Sequence, residues 1–143
     1  MKILVATGLY PPESGGPAKH TLMMEEVLPK HGFTVDVVPF SRVRKLPKVI
    51  RHILYVLLLI KHSFSADIIF AQDTMSVGFP AALAAMITRK KCVVRVPGDH
   101  AWEQGTQLFG VTDSLEDFQH KKYSWRVELI RTLSRWSVRR ADL

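Results

Sequence analysis

The stretch from Lys2 to Val38 constrains this chain more than any other. Lys2-Ile3-Leu4-Val5-Ala6-Thr7 is a short apolar run suited to a strand buried on both faces. Gly8 to Pro17 contains three Gly and three Pro and reads as loop. Pro17 suits a first helical position, where its missing N–H would be unpaired anyway. Leu22, Val27 and Leu28, helped by Met23 and Met24, supply one apolar helical face, and Gly32 ends that helix. Thr34 to Val38 alternates and is β-branched, which predicts a second strand. Strand, Gly-rich loop, helix and strand in that order make a Rossmann-like opening whose first loop is shaped for a ligand.

The pattern continues. Lys45 to His62 is helical, with Pro47 near its first turn, and Asp67 to Ala71 is a third strand. A loop from Gln72 to Ser76 leads to an Ala-rich helix over Gly78 to Thr88, and Lys91 to Val96 is a fourth strand. Ala101 to Phe118 reads as a long, irregular, polar loop. Lys122 to Arg140 is a last helix, with Trp125, Leu129, Leu133 and Trp136 along one side. Strands alternating with helices predict an α/β fold, a parallel sheet with helices on both faces. The 143 residues suffice for one domain. Asp142-Leu143 resembles the start of another strand, as Asp67-Ile68 starts the third, so residues 1–143 read as a single, truncated domain.

Composition narrows the functional classes. The single cysteine, Cys92, excludes an internal disulfide and any Cys-based zinc site, and its apolar surroundings mark it as a buried small hydrophobe. No signal peptide is visible at the N-terminus. The longest apolar run, Ile53 to Ile60, has eight residues. A spanning helix needs about 20, so no transmembrane segment is predicted.

The net charge of +7 is uneven: Ser41 to Ala66 holds no Asp or Glu and carries +6. Such a patch draws lipid headgroups, nucleic acid or phosphorylated substrates. Leu46, Val49, Ile50, Ile53, Leu54, Leu57 and Leu58 form an apolar stripe through the same segment. Either the helix packs on the sheet with a solvated basic rim, or it docks on a membrane with Arg44, Lys45, Lys48 and Arg51 facing anionic lipid. Sparse aromatics and the lack of a recognisable module argue against nucleic acid.

Candidate ligand-binding residues gather after the strands. Gly15 and Gly16, directly before a helix, let a phosphate or sugar hydroxyl approach its first N–H groups, or simply make a tight turn. The spacing is not G-x-G-x-x-G, and no acid ends the second strand, so a nicotinamide-dependent oxidoreductase loses its two supports. His20, on the first helical turn, faces ligand or caps the surface. Asp73, after the third strand, contacts substrate or caps a helix. Arg95, a charge in an apolar strand, needs a partner or an open cleft. Trp102 suits stacking on a sugar ring or anchoring a loop.

The string P-P-E-S-G-G-P-A-K-H, followed by L-P-K-H-G-F-T-V-D-V-V, resembles the opening of family 4 glycosyltransferases. Those typically read P-P-x-x-G-G, then a helix containing His, then L-x-x-x-G-H-x-V-x-V; Phe33 stands where that pattern usually has His. D-I-I-F-A-Q-D resembles the family's D-V-I-H-A-H-x stretch, V-V-R-V-P-G-D-H its strand and loop ending in H-G, and R-R-A-D-L a helix end and strand start. The resemblance implies the N-terminal, acceptor-binding half of a GT-B fold. It also implies retaining transfer from a nucleotide-sugar donor to a glycan or lipid-linked acceptor hydroxyl. A separate C-terminal half would hold most of the donor, and no E-x7-E pattern for that role occurs in a suitable place here. No tightly bound cofactor and no metal are implied, and the place of action is the cytoplasm, with a peripheral position at the inner face of the membrane.

One departure stands out. Pro97-Gly98-Asp99-His100 replaces the usual His-Gly, and Pro97 cannot give or take a proton. Asp99 or His100 would then take that polar, catalytic role, unless Asp99 only shapes the turn. The alternative to an enzyme half is a non-catalytic α/β module that docks anionic membrane or a partner through the basic helix 42–62.

Overall fold

Four strands carry the chain in parallel: β1 (Lys2–Thr7), β2 (Thr34–Pro39), β3 (Ile68–Ala71) and β4 (Lys91–Val94), in the order β2-β1-β3-β4. The structure, a computed structural model, describes residues 1–142, with the side chain of Lys48 outside the described residues. At the centre, Leu4 faces Asp36 on one side and Ile69 on the other. The chain moves one way from β1 to β2, then back past β1 to β3 and β4. Right-handed crossovers therefore place the β1–β2 helix on one face and the β2–β3 and β3–β4 helices on the other. α1 (Gly16–Val27) lies on one face, and α2 (Lys48–Ser63) and α3 (Gly78–Thr88) lie on the other. This is the expected α/β, Rossmann-like architecture.

The main core lies between the sheet and α2–α3. Leu4, Ala6, Ile69 and Ala71 from the sheet meet Tyr55 and Leu59 of α2 and Ala81, Ala84 and Ala85 of α3. The alanines let α3 come close, and a Cβ at Gly78 would collide with the carbonyl oxygen of Asp73. Tyr55 is fully buried and donates its hydroxyl to Val38 O at 2.6 Å. Burial, and then the charge of Asp142, push the Cys92 thiol up to about 12, so it behaves as a small hydrophobe.

Boundaries shift where backbone bonding decides them. α2 starts at Lys48 rather than Lys45, because Leu46 N–H is taken by Val43 O in the preceding turn. β4 ends at Val94 because its partner β3 ends at Ala71. The inner face of α1 is Ala18 and Thr21, while Leu22, Met23 and Val27 are exposed. Small residues at that contact allow close approach to the sheet.

The segment 101–118 is not irregular. α4 (His100–Leu108) begins where Asp99 Oδ1 accepts the Trp102 N–H at 3.0 Å, and α5 (Leu115–His120) begins at Ser114, which caps Asp117 N–H. Both helices are short and polar, so caps rather than periodicity specify them. They pack with α6 (Trp125–Arg140) around a second core of Ala101, Val111, Phe118 and Val127. Arg131 pins that core. Its guanidinium donates to Glu128, Lys121 O and Phe118 O and lies 4.2 Å from the Phe118 ring centroid. The buried residues of α6 are therefore Val127, Arg131 and Ser137; of the predicted apolar line, Trp125 and Leu129 are exposed, while Leu133 and Trp136 are half-buried and Trp136 packs on Phe79.

One junction occurs twice. Asp67 N–H donates to Lys2 O at 2.8 Å and its carboxylate accepts Lys2 N–H at 2.7 Å. Asp142 treats Cys92 in the same way, at 2.7 Å for both bonds. Leu143, named above as the start of a further strand, lies outside the described residues.

Replacing Tyr55 with Phe strips Val38 O of a buried partner. The Y55F variant is expected to lose about 1–2 kcal/mol in urea unfolding. An unchanged midpoint would show that this hydrogen bond adds nothing to the fold.

Candidate functional site

The sheet reverses its direction of winding between β1 and β3, and a crevice opens at the carboxyl ends of those strands, the usual ligand position in such sheets. Its volume is about 540 Å³. Gly8 ends β1 at its floor, Gln72 and Asp73 follow β3, Arg95 follows β4, and Gly16 with Pro17 opens α1 at its rim.

The two loop glycines differ. Gly15 has φ of 154°, and a Cβ there would come within 2.8 Å of Leu9 Cδ1, so it shapes the loop. A Cβ at Gly16 would meet nothing within 4 Å. Gly16 therefore leaves the first turn of α1 bare toward the crevice, with the positive end of the helix dipole behind it.

Gln72 organises the centre. It is fully buried, and its Nε2 donates to His20 Nδ1 at 2.9 Å and to Thr21 Oγ1 at 3.1 Å, while Oε1 accepts from Arg95 Nη1 at 3.3 Å. His20 also stacks on Phe70 at 6.0 Å. Accepting at Nδ1 places the proton of the neutral ring on Nε2. Burial first, and the Arg95 charge second, lower the His20 pKa and favour that neutral form. His20 thus supports Arg95 through Gln72 rather than lining the crevice itself. Gln72 carried no signal in the sequence beyond its place after β3, because a neutral amide is unremarkable until it is seen buried.

Several candidates turn out to be structural. Both oxygens of Asp99 are engaged, by Trp102 N–H and by Gln119 Nε2 at 2.7 Å, so it caps α4, and it borders a separate hollow of about 410 Å³ rather than the crevice. Trp102 donates its indole N–H to Asp113 O at 3.0 Å and packs on the second core, away from the crevice. Asp73 lines the crevice, but its Oδ1 accepts N–H groups of Met75 and Val77 and shapes the turn into α3. His100 stands at the crevice edge as the first residue of α4, its side chain making no hydrogen bond among the described residues.

Two of the basic residues assigned to a membrane face turn inward. Arg44 binds the Glu13 carboxylate and Gly8 O, tying the glycine loop to the segment before α2. Arg51 lines the crevice with its guanidinium 5.7 Å from the Phe40 ring centroid. Lys45 is exposed, and the Lys48 side chain lies outside the described residues. α2 itself keeps Tyr55 and Leu59 inside and turns Val49, Ile53 and Leu57 to solvent, each more than half exposed.

The crevice thus offers Arg44, Arg51, Arg95 and a bare helix start to an anionic or hydroxyl-rich ligand, with His100 at its edge. Among the described residues no three His, Cys, Asp or Glu side chains gather as a metal site, and no helix is long and apolar enough to cross a membrane. No protein-family model matches the chain, and no curated protein matches its sequence.

The lowered His20 pKa has a definite sign. The folded chain resists a proton that the unfolded chain takes near pH ~6.5, so the contribution of His20 is complete above that value and is lost as pH falls below it. His52, lowered by burial and by Arg51, acts in the same direction. The drop in Tm between neutral pH and mildly acidic buffer is expected to be smaller in His20→Asn, which keeps an acceptor for Gln72. An equal drop in both proteins would contradict this.

Proposed function

We propose that this chain is the acceptor-side domain of a retaining glycosyltransferase of the family 4 type, working with a separate domain that holds most of the nucleotide-sugar. The observation that carries the reading is the crevice at the β1/β3 reversal, where Gly16 bares the start of α1 opposite Arg95 and Arg44. The glycine spacing of a dinucleotide site is absent from the loop that forms its rim. In this reading an acceptor hydroxyl enters the crevice beside His100. The anomeric carbon of the sugar forms a new bond to that oxygen as its bond to the leaving phosphate breaks. The acceptor proton departs through His100 or the leaving phosphate. Fixed N–H dipoles of α1 and the guanidinium groups stabilise the negative charge that grows on the phosphate.

Gly16→Val tests the role of the loop, because a Cβ there meets no protein atom within 4 Å and points into open space. In the enzyme complete with its donor half, transfer is expected to fall roughly 100-fold, the scale of misplaced reactants, with Tm unchanged. Full activity in that variant would refute the role.

The outward stripe of α2 supports a second reading that is compatible with the first. Val49, Ile53, Leu57 and Phe64 are all more than half exposed, in a window free of acids. This amphipathic face suits docking on an anionic membrane at the inner surface of the cell, at roughly 1 kcal/mol per basic residue near the lipid. The chain is expected to sediment with phosphatidylserine vesicles and not with neutral ones, and Ile53→Glu with Leu57→Glu should abolish it. Failure of the intact chain to sediment would end this reading. Arg42 and Lys45 are the cations to neutralise, since Arg44 and Arg51 face the crevice.

A further inference from the structure

Two neighbouring side chains of α6 each leave a buried polar atom without a partner: Nε of Arg131 and Oγ of Ser134. Ser134 departs from the habit of its own helix. Thr132 and Ser137 donate their hydroxyls back to Glu128 O and Leu133 O, at 2.8 and 2.9 Å. Helical Ser and Thr often bond in this way, and Ser134 does not. A buried polar group left unpaired costs free energy until something satisfies it. Both residues line the hollow of about 410 Å³ that Asp99 borders. Hollows of roughly 300–1,000 Å³ are the size that holds a small ligand.

Charge gives this hollow a direction. Arg131, Arg135 and Arg139 recur every four residues, so they share one face of α6, and all three line the hollow. Glu128 neutralises Arg131. Arg135 and Arg139 are exposed and have no ion pair and no hydrogen bond among the described residues. The α6 wall thus holds two free guanidinium groups beside an unused hydroxyl. Each guanidinium can grip a phosphate through two N–H groups at once. Another wall carries Asp99, whose oxygens each accept one donor and have room for a second. A carboxylate repels an anion but accepts from a hydroxyl, so a phosphate belongs on the α6 side and a hydroxyl on the Asp99 side.

The hollow and the crevice lie on either side of one segment. Val96 and Gly98 line the hollow, whereas Arg95 and Pro97 line the crevice. Of the crevice residues only His100 also reaches the hollow.

We propose that this hollow is a second binding site, for a small hydroxylated phosphate monoester. Its phosphate sits on Arg135, Arg139 and the Ser134 hydroxyl, and a hydroxyl of the ligand donates to Asp99. The site does not depend on the glycosyl-transfer reading and does not use the arginines of the crevice.

Calorimetric titration of the chain with glycerol phosphate and with glucose phosphate, at low ionic strength, tests the site. At least one ester is expected to saturate a single site and to raise Tm as its concentration rises. Arg135→Gln and Arg139→Gln should each weaken it about tenfold, the scale of a charge-assisted hydrogen bond. Ser134→Ala should weaken it several-fold and leave the Tm of the free chain unlowered, because that hydroxyl has no bond to lose. Arg51→Gln, in the crevice, should change nothing. Inorganic phosphate should bind more weakly than the ester, and free glucose and glycerol should not bind. Equal affinity for inorganic phosphate would reduce the hollow to a free-anion site and overturn the proposal. Binding that survives in the Arg135→Gln, Arg139→Gln double variant, or that is lost in Arg51→Gln, would place the ligand elsewhere and overturn it. So would the failure of both esters to saturate the chain.

Discussion

Gln72 is buried where the sheet changes its direction of winding, and a buried amide must have partners on both its ends. It finds them on different elements: His20 and Thr21 from α1, and Arg95 from the end of β4. The amide therefore links the helix on one face of the sheet to the end of β4, two positions away from β1. Thr21 is also held by Pro17 O, so the start of α1 is tied into the same arrangement. Without those bonds a guanidinium at the crevice floor would be free to swing, and the rim at Gly16 would lose its fixed distance from it. The crevice is thus less a gap left by the fold than the product of one polar side chain that has to be satisfied.

Most of the fold was legible because most of its elements announce themselves by period. The strands at Lys2–Thr7 and Ile68–Ala71 are apolar runs, and the Ala-rich α3 is set off by turns on both sides. The segment 101–118 was not legible, since α4 and α5 bury only one or two residues each and depend on Asp99 and Ser114 as caps. The buried side of α6 was only half legible for a related reason. Arg131 looks like a solvent residue, yet its flat guanidinium stacks on Phe118 and fills a core position. At the site, Gly15, Gly16 and Arg95 could be anticipated from strand ends and glycines, whereas Gln72 could not. The basic segment revealed its charge but not its direction, because the turns from Phe40 to Leu46 decide which arginine folds inward.

α2 has to satisfy two environments at once. Tyr55 and Leu59 complete the core, while the opposite stripe is as apolar as a core surface and has no partner among the described residues. Arg51 and His52 lie on a third flank, where Arg51 borders the crevice and both border a groove formed with α4 and α6. One helix thereby borders the core, the ligand crevice and an exposed apolar face, so a substitution on it acts on stability, on ligand binding or on surface affinity according to its position around the axis.

The paired aspartates bear on solubility. Among the described residues β4 ends the sheet, and sheet edges with free N–H and C=O groups invite pairing with other strands. Arg95 N–H turns inward to Ala71 O, so by alternation the polar groups of Cys92 and Val94 turn outward. Asp142 occupies both groups of Cys92 and sets a negative charge beside them. The exposed ladder shrinks to the groups of one residue, Val94, too short a template to start a cross-β stack. The contact that looks like a strand beginning thus covers part of the open side of β4 among the described residues.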